Sequence, residues 1–256
     1  MISVVILGAG NVATHLFKAF NKTEDISVVQ WFNRHINAIK PFKSQVEIID
    51  DLSLIKEADI YFLAVSDNAV KTLSSKLPFE NRLVVHTSGT VSMYDIDKKN
   101  RRGVFYPLQT FSKEVDIDFK NVPICLETIK SEDYHLIKAL AKKLGSPTKR
   151  VNTDQRGVLH LAAVFVNNFT NQLYRIGHEI TESEGAEFDL LKPLILETAK
   201  KVQELSPYMA QTGPAKRNDS KTIERHLKLL DNNPQHKEIY ELLTNSIQRT
   251  HGRKKL

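Results

Sequence analysis

Gly8, Gly10 and Ala13 stand in the run GAGNVA, at the spacing G-x-G-x-x-A. The run follows a short β-branched apolar stretch and opens a helical pattern, which is the context a dinucleotide-binding turn requires. Gly8 permits a tight turn. Gly10 lets backbone approach a pyrophosphate, and Ala13 is small enough for close packing of helix on strand. The amides of Asn11 and Val12 at the helix start face the phosphates in this reading, where the helix dipole favours negative charge. A tight turn with no ligand would be spelled the same way, so its place at the first strand–helix junction decides for a nucleotide.

The end of the second strand pattern, WFNRH, speaks to which nucleotide. An acidic residue there would hold the ribose hydroxyls of NAD. Asn33 is neutral instead, and the forked guanidinium of Arg34 suits a 2′-phosphate, so NADP is the expected cofactor. Ala64, Val65 and Ser66 end one further strand pattern, and Thr87, Ser88 and Gly89 end another. In an open parallel sheet the ligand lies beyond the carboxyl ends of the strands, so these six are expected to face it.

Three groups are candidates for the reaction itself. His160 and Asn167 lie two helical turns apart on one long apolar pattern, and a buried polar group there needs a partner. A histidine can donate a proton near neutral pH. Arg217, in TGPAKRNDSKTIERHL, is the candidate clamp for a carboxylate, expected to lie partly buried. Asp219 can cap the helix that follows, and His226 falls on its apolar stripe with Ile223, Leu227 and Leu230. The competing reading is a satisfied core histidine and a solvated loop.

These groups need a scaffold. ISVVILG, ISVVQWFN, VEII, DIYFLAVS, RLVVHTSG, GVFYPLQTF, VPICLET and PTKRV read as strands, interleaved with helical patterns. Ser131 is a plausible N-cap and Gly145 a plausible stop for the helix SEDYHLIKALAKKLG. Strand–helix alternation implies an α/β domain with a doubly wound, mainly parallel sheet, over residues 1–152. After Asn152 only helical patterns follow, implying a smaller all-helical domain over residues 153–256. Its first helix, from Asp154 to about Ser183, is apolar on nearly every side and is expected to be buried all round.

The composition, 41% hydrophobic and 26% charged, is that of a globular chain. Cys125 is the sole cysteine, which excludes an internal disulfide and any cysteine-built metal site, and fits a cytoplasmic location. The start MISVVILGAGNVA lacks a basic leader and a long apolar run, so no secretion signal or membrane anchor is expected. Half of the net charge of +6 comes from Arg253, Lys254 and Lys255. No basic stripe with interleaved aromatics exists, so an anionic small molecule is a better partner than nucleic acid.

GAGNVA, NR and ADIYFLAVSDNAV resemble pyrroline-5-carboxylate reductase and the deazaflavin-dependent NADP oxidoreductases. YPLQTF, LHLAAVFVNNF and TGPAKRNDSKTIERHL resemble the signature segments of a bacterial family of NADP oxidoreductases. That family joins a Rossmann domain to a helical domain of unknown function, similar to 6-phosphogluconate dehydrogenase. The resemblance spans nearly the whole chain and implies an NADP-dependent oxidoreductase. Hydride would pass between the nicotinamide and a small anionic keto or imine substrate, and the helical domain would pair two subunits as a homodimer. Three departures stand out. Tyr106 occupies a position where the family often has histidine, Asn218 replaces the glycine of an Arg-Gly-Asp run, and Leu161 falls where related dehydrogenases carry a catalytic lysine. The last leaves open a non-catalytic NADP-binding sensor or scaffold.

Overall fold

The computed structural model describes residues 1–251; Arg253, Lys254 and Lys255 lie outside them. The chain divides into two compact units, Met1–Phe169 and Thr170–Leu256. Among the described residues no helix is long and apolar enough to cross a membrane.

The first unit is built on an eight-stranded sheet in the order β3-β2-β1-β4-β5-β6-β7-β8. Its strands are β1 (Ile2–Leu7), β2 (Ile26–Phe32), β3 (Ile48–Ile49), β4 (Ile60–Leu63), β5 (Leu83–His86), β6 (Arg101–Pro107), β7 (Ile124–Thr128) and β8 (Thr148–Arg150). Strands β1 to β6 run parallel; β7 turns against β6, and β8 runs parallel to β7. Alternation along β1 sorts side chains between the two faces. Val4 and Ile6 join Leu16, Phe17, Phe20 and Trp31 on one face, while Val5 and Leu7 join Tyr61, Leu63, Val70 and Val84 on the other. Helices α1 (Asn11–Asn21), α2 (Asp67–Ser75) and α3 (Ser131–Lys143) cover the sheet. Ser131 is the first helical residue of α3, not its cap; the cap position is Lys130, without a side-chain bond. Gly145, at φ +75°, follows the helix end as expected.

The unit ends with α4 (Thr153–Ala163) and a π-helical segment, Val164–Phe169. Asn152 and Gln155 close a capping box at the start of α4. The expectation of an all-round buried helix fails here. Val158 is 68% exposed and Val166 76%, and Leu161 and Phe169 are exposed as well. Apolar character demands cover but does not say what provides it.

In the second unit, α5 (Thr170–Ser183) and α6 (Lys192–Glu204, with Pro193 in its first turn) are followed by the short turns α7 (Pro207–Ala210) and α8 (Pro214–Arg217). Helices α9 (Ser220–Leu229) and α10 (Pro234–His251) complete it. Asp219 caps α9, accepting from the Thr222 amide at 3.1 Å and its hydroxyl at 2.8 Å. Buried His236 ties α10 to Glu179 of α5 at 3.1 Å.

Candidate functional site

The glycine turn is fixed from several sides. Gly8 lies at φ +118°, and a Cβ there would fall 2.1 Å from the carbonyl oxygen of Ala64, so no other residue fits. Its carbonyl accepts the indole N–H of Trp31 at 2.6 Å, and its amide donates to Phe32 at 2.9 Å. Gly10 differs: its φ is −75°, and a Cβ would meet no atom within 4 Å. It caps α1 without a side-chain bond, and the first turn holds no acidic residue. The amides at the helix start are therefore available to an anion. The side-chain amide of Asn11 is engaged, donating to the carbonyl of Phe111 at 2.7 Å, so Asn11 presents its backbone.

A cavity of about 980 Å³ opens over this turn. Its walls hold the expected Gly8, Gly10, Asn11, Val12, Asn33, Arg34, Ala64, Val65, Ser66, Thr87 and Ser88. Arg34 is exposed, and the side chain of Asn33 donates to the carbonyl of His35 at 2.8 Å. Sequence reasoning missed Asp50, Asp51, Thr72 and Lys76, which also line it. The last two lie one turn apart on and just after α2, a spacing that marks a common face without saying what it faces.

Ser88 is held by its neighbours. Its hydroxyl accepts from the amides of Thr90 and Val91, both at 3.1 Å, and its amide donates to Nδ1 of His86 at 3.2 Å. His86 is fully buried; burial, and then the nearby Arg156 guanidinium, push its pKa down to about 3, so the ring is neutral.

Gly89, next along the chain, is absent from the cavity wall and packs instead against His160. A Cβ there would lie 2.6 Å from Nδ1 of His160 and 2.9 Å from Cζ of Tyr106. The hydroxyl of Tyr106 bonds that same Nδ1 at 3.1 Å. His160 is half-buried on α4, one turn beyond Arg156. Arg156 is fully buried and pairs with Glu127 of β7, while its second terminal nitrogen donates to the carbonyl of Val91. Glu127 also accepts from the amide and hydroxyl of Thr153 at 3.0 and 3.1 Å. The start of α4 is thus pinned to the sheet, and the pin sets where His160 stands. Arg156 and His160 at i, i+4 was the sequence signal that went unread.

Asn167 is half-buried within the π-helical segment, whose extra residue per turn offsets it from the line of His160. Arg217 ends α8 and is exposed, not partly buried, because in that four-residue turn only Ala215 faces inward. His226 is structural: its Nδ1 meets the hydroxyl of Tyr240 at 2.9 Å.

A parallel sheet in this strand order, with a glycine turn opening a cavity along its carboxyl edge, defines a dinucleotide-binding protein. Residues 3–89 match the family described as NADP oxidoreductase, coenzyme F420-dependent, and residues 122–247 match a domain of unknown function, DUF2520. A solved structure described as a "putative NADP oxidoreductase" from Bacteroides fragilis is 37% identical, covers 97% of this chain and 98% of its own, and superposes with a TM-score of 0.88. The chain belongs to this family of two-part NADP oxidoreductases, which places it among NAD(P)-binding oxidoreductases. More distant structures share the fold. A Thermotoga maritima protein is 19% identical with a TM-score of 0.73, covering 97% of this chain and 98% of its own. The imine reductase of Myxococcus stipitatus, solved with NADP+, is 16% identical with a TM-score of 0.67, covering 98% and 96%. No curated protein matches the sequence.

Proposed function

We propose that the chain is an NADP-dependent reductase acting on a small anionic keto or imine compound. One observation carries the reading: Ser88 lines the cavity, and the next residue, Gly89, packs against a histidine held by Tyr106. A proton-bearing ring therefore stands where the cavity wall ends, beside the carboxyl edge of β5. Gly8, Gly10 and the amides of Asn11 and Val12 would hold the pyrophosphate; the open position above Gly10 is a cradle that any Cβ would fill. Arg34, with Asn33 beside it, would take the 2′-phosphate. Ala64, Val65, Ser66, Thr87 and Ser88 would wall the remainder. When bound, the nicotinamide supplies or accepts the hydride. His160 supplies the proton that a reduced carbonyl oxygen or imine nitrogen needs, and Asn167 offers the substrate a polar contact.

NADPH oxidation against a panel of keto acids and cyclic imines tests the reaction. Binding of NADPH with no turnover on any of them would mark the protein as a sensor or scaffold. Arg34→Ala should weaken NADPH binding about tenfold to a hundredfold while leaving NADH nearly unchanged. Equal affinity of the wild type for both, by calorimetry, defeats the NADP assignment.

We also infer a homodimer through residues beyond Asn152. Val158, Leu161 and Val166 in the first unit, and Leu194, Leu229 and Leu242 in the second, are exposed apolar side chains of the kind a subunit interface covers. Light scattering at micromolar concentration reads the mass, and a monomer rejects the inference.

A further inference from the structure

Two ring nitrogens of His160 could carry the proton of the neutral imidazole, and which one does so decides what the ring can offer a substrate. The contact with Tyr106 settles it by hydrogen-bond accounting. The phenol oxygen and Nδ1 lie 3.1 Å apart, with the rings edge-on at 63°. Were Nδ1 to carry the proton, it would donate to the phenol oxygen, and the phenol's own proton would need another acceptor. Tyr106 is only 8% exposed, and among the described residues His160 is its hydroxyl's hydrogen-bond partner. A buried O–H left without an acceptor is unfavourable enough to decide the direction. The phenol also keeps its proton, because burial pushes its pKa up to about 12. The reverse arrangement leaves nothing stranded: the phenol donates to Nδ1, and the N–H on Nε2 belongs to a ring that is only half-buried.

We propose that Tyr106 is a positioning residue that donates its hydroxyl proton to Nδ1 of His160 and thereby holds the neutral imidazole with its N–H on Nε2. Gly89 completes the arrangement, since any side chain there would push into both rings. The aromatic residue that departs from the family's usual histidine before Pro107 acquires a reason: it fixes the tautomer. The proposal rests on the reading of His160 as proton donor: the Nε2–H form presents a hydrogen-bond donor away from Tyr106, and as that proton passes to the substrate the Tyr106 proton follows onto Nδ1, so the ring stays neutral.

Long-range ¹⁵N–¹H correlation spectra of the histidine side chains, on the full chain, read the tautomer directly and need no substrate. The neutral form of wild-type His160 should show the proton on Nε2 alone, and Tyr106→Phe should show a mixture of both forms. A wild-type ring protonated on Nδ1, or a Tyr106→Phe spectrum identical to wild type, overturns the proposal. The wild-type spectrum is decisive even where the variant folds poorly. With any panel substrate that turns over, Tyr106→Phe should lower kcat by about tenfold or more and leave the Kd for NADPH unchanged. Retained turnover in His160→Gln would instead defeat the proton-donor reading, while the tautomer result would still stand or fall on the spectra.

Discussion

The indole N–H of Trp31 donates to the carbonyl of Gly8 at 2.6 Å, across 23 residues of chain. The bond ties the glycine turn to β2, the strand that ends beside Asn33 and Arg34, so both ends of the expected dinucleotide are positioned from one side chain. Trp31→Phe should leave a buried carbonyl without its donor, costing about 1–3 kcal/mol, with some lost packing against Phe17 and Phe42 in addition. Urea unfolding measures the first effect. Dinucleotide affinity should fall with it, and a variant of unchanged affinity would show that the turn keeps its shape without the bond.

Gly8 and Gly10 separate folding from binding. Gly8→Ala meets the carbonyl of Ala64 and a positive φ, so the protein should lose stability and dinucleotide together. Gly10→Ala meets only open space and should fold with an unchanged unfolding midpoint, yet bind NADPH far more weakly. Thermal unfolding with and without NADPH distinguishes them. Wild-type affinity in Gly10→Ala would mean that no phosphate comes near that position.

The Arg156–Glu127 pair predicts a characteristic mutational pattern. Removing either charge strands the other inside the protein, at about 3–5 kcal/mol, whereas Arg156→Met with Glu127→Leu should recover much of the loss. Chemical denaturation of the two singles and the double tests this. Additive losses would show that the two charges do not depend on each other.

His86 gives stability a pH dependence of known sign. Its folded pKa, about 3, lies below the unfolded value of about 6.5. Between those values the unfolded chain binds a proton that the folded one refuses, so the contribution is full above pH 6.5 and is lost as pH falls. By pH 5 the loss is about 2 kcal/mol. His86→Asn can still accept the Ser88 amide, and its unfolding free energy should change less between pH 7 and pH 5 than that of the wild type. An equal change in both proteins would assign the acid sensitivity to other groups.

The glycine turn and the strand ends were legible because each rests on local chemistry: a positive φ, a helix start, a small residue at a carboxyl edge. Gly89 shows the limit. Its type marked it as part of the site, but its service is to make room for His160, 71 residues later in the chain. The direction of β7 was not readable, since apolar alternation is the same in either sense. Nor was the buried Arg156, because a charged residue in a first helical turn ordinarily faces water. The exposure of α4 was hidden for the opposite reason: its sequence is apolar, yet Val158 and Leu161 stand exposed.

The reversal at β7 makes α4 a gauge of height. Glu127 sits opposite Val104 on β6, two residues before Tyr106, or about 6.7 Å along the strand. Arg156 and His160 are four residues apart, or about 6 Å along the helix. One turn of helix is thus matched to one repeat of pleat: the pair at the lower mark fixes the origin, and the histidine falls at the upper one. One residue inserted between them would swing the imidazole by about 100° and raise it by about 1.5 Å, taking it off Tyr106 although every side chain named here were still present.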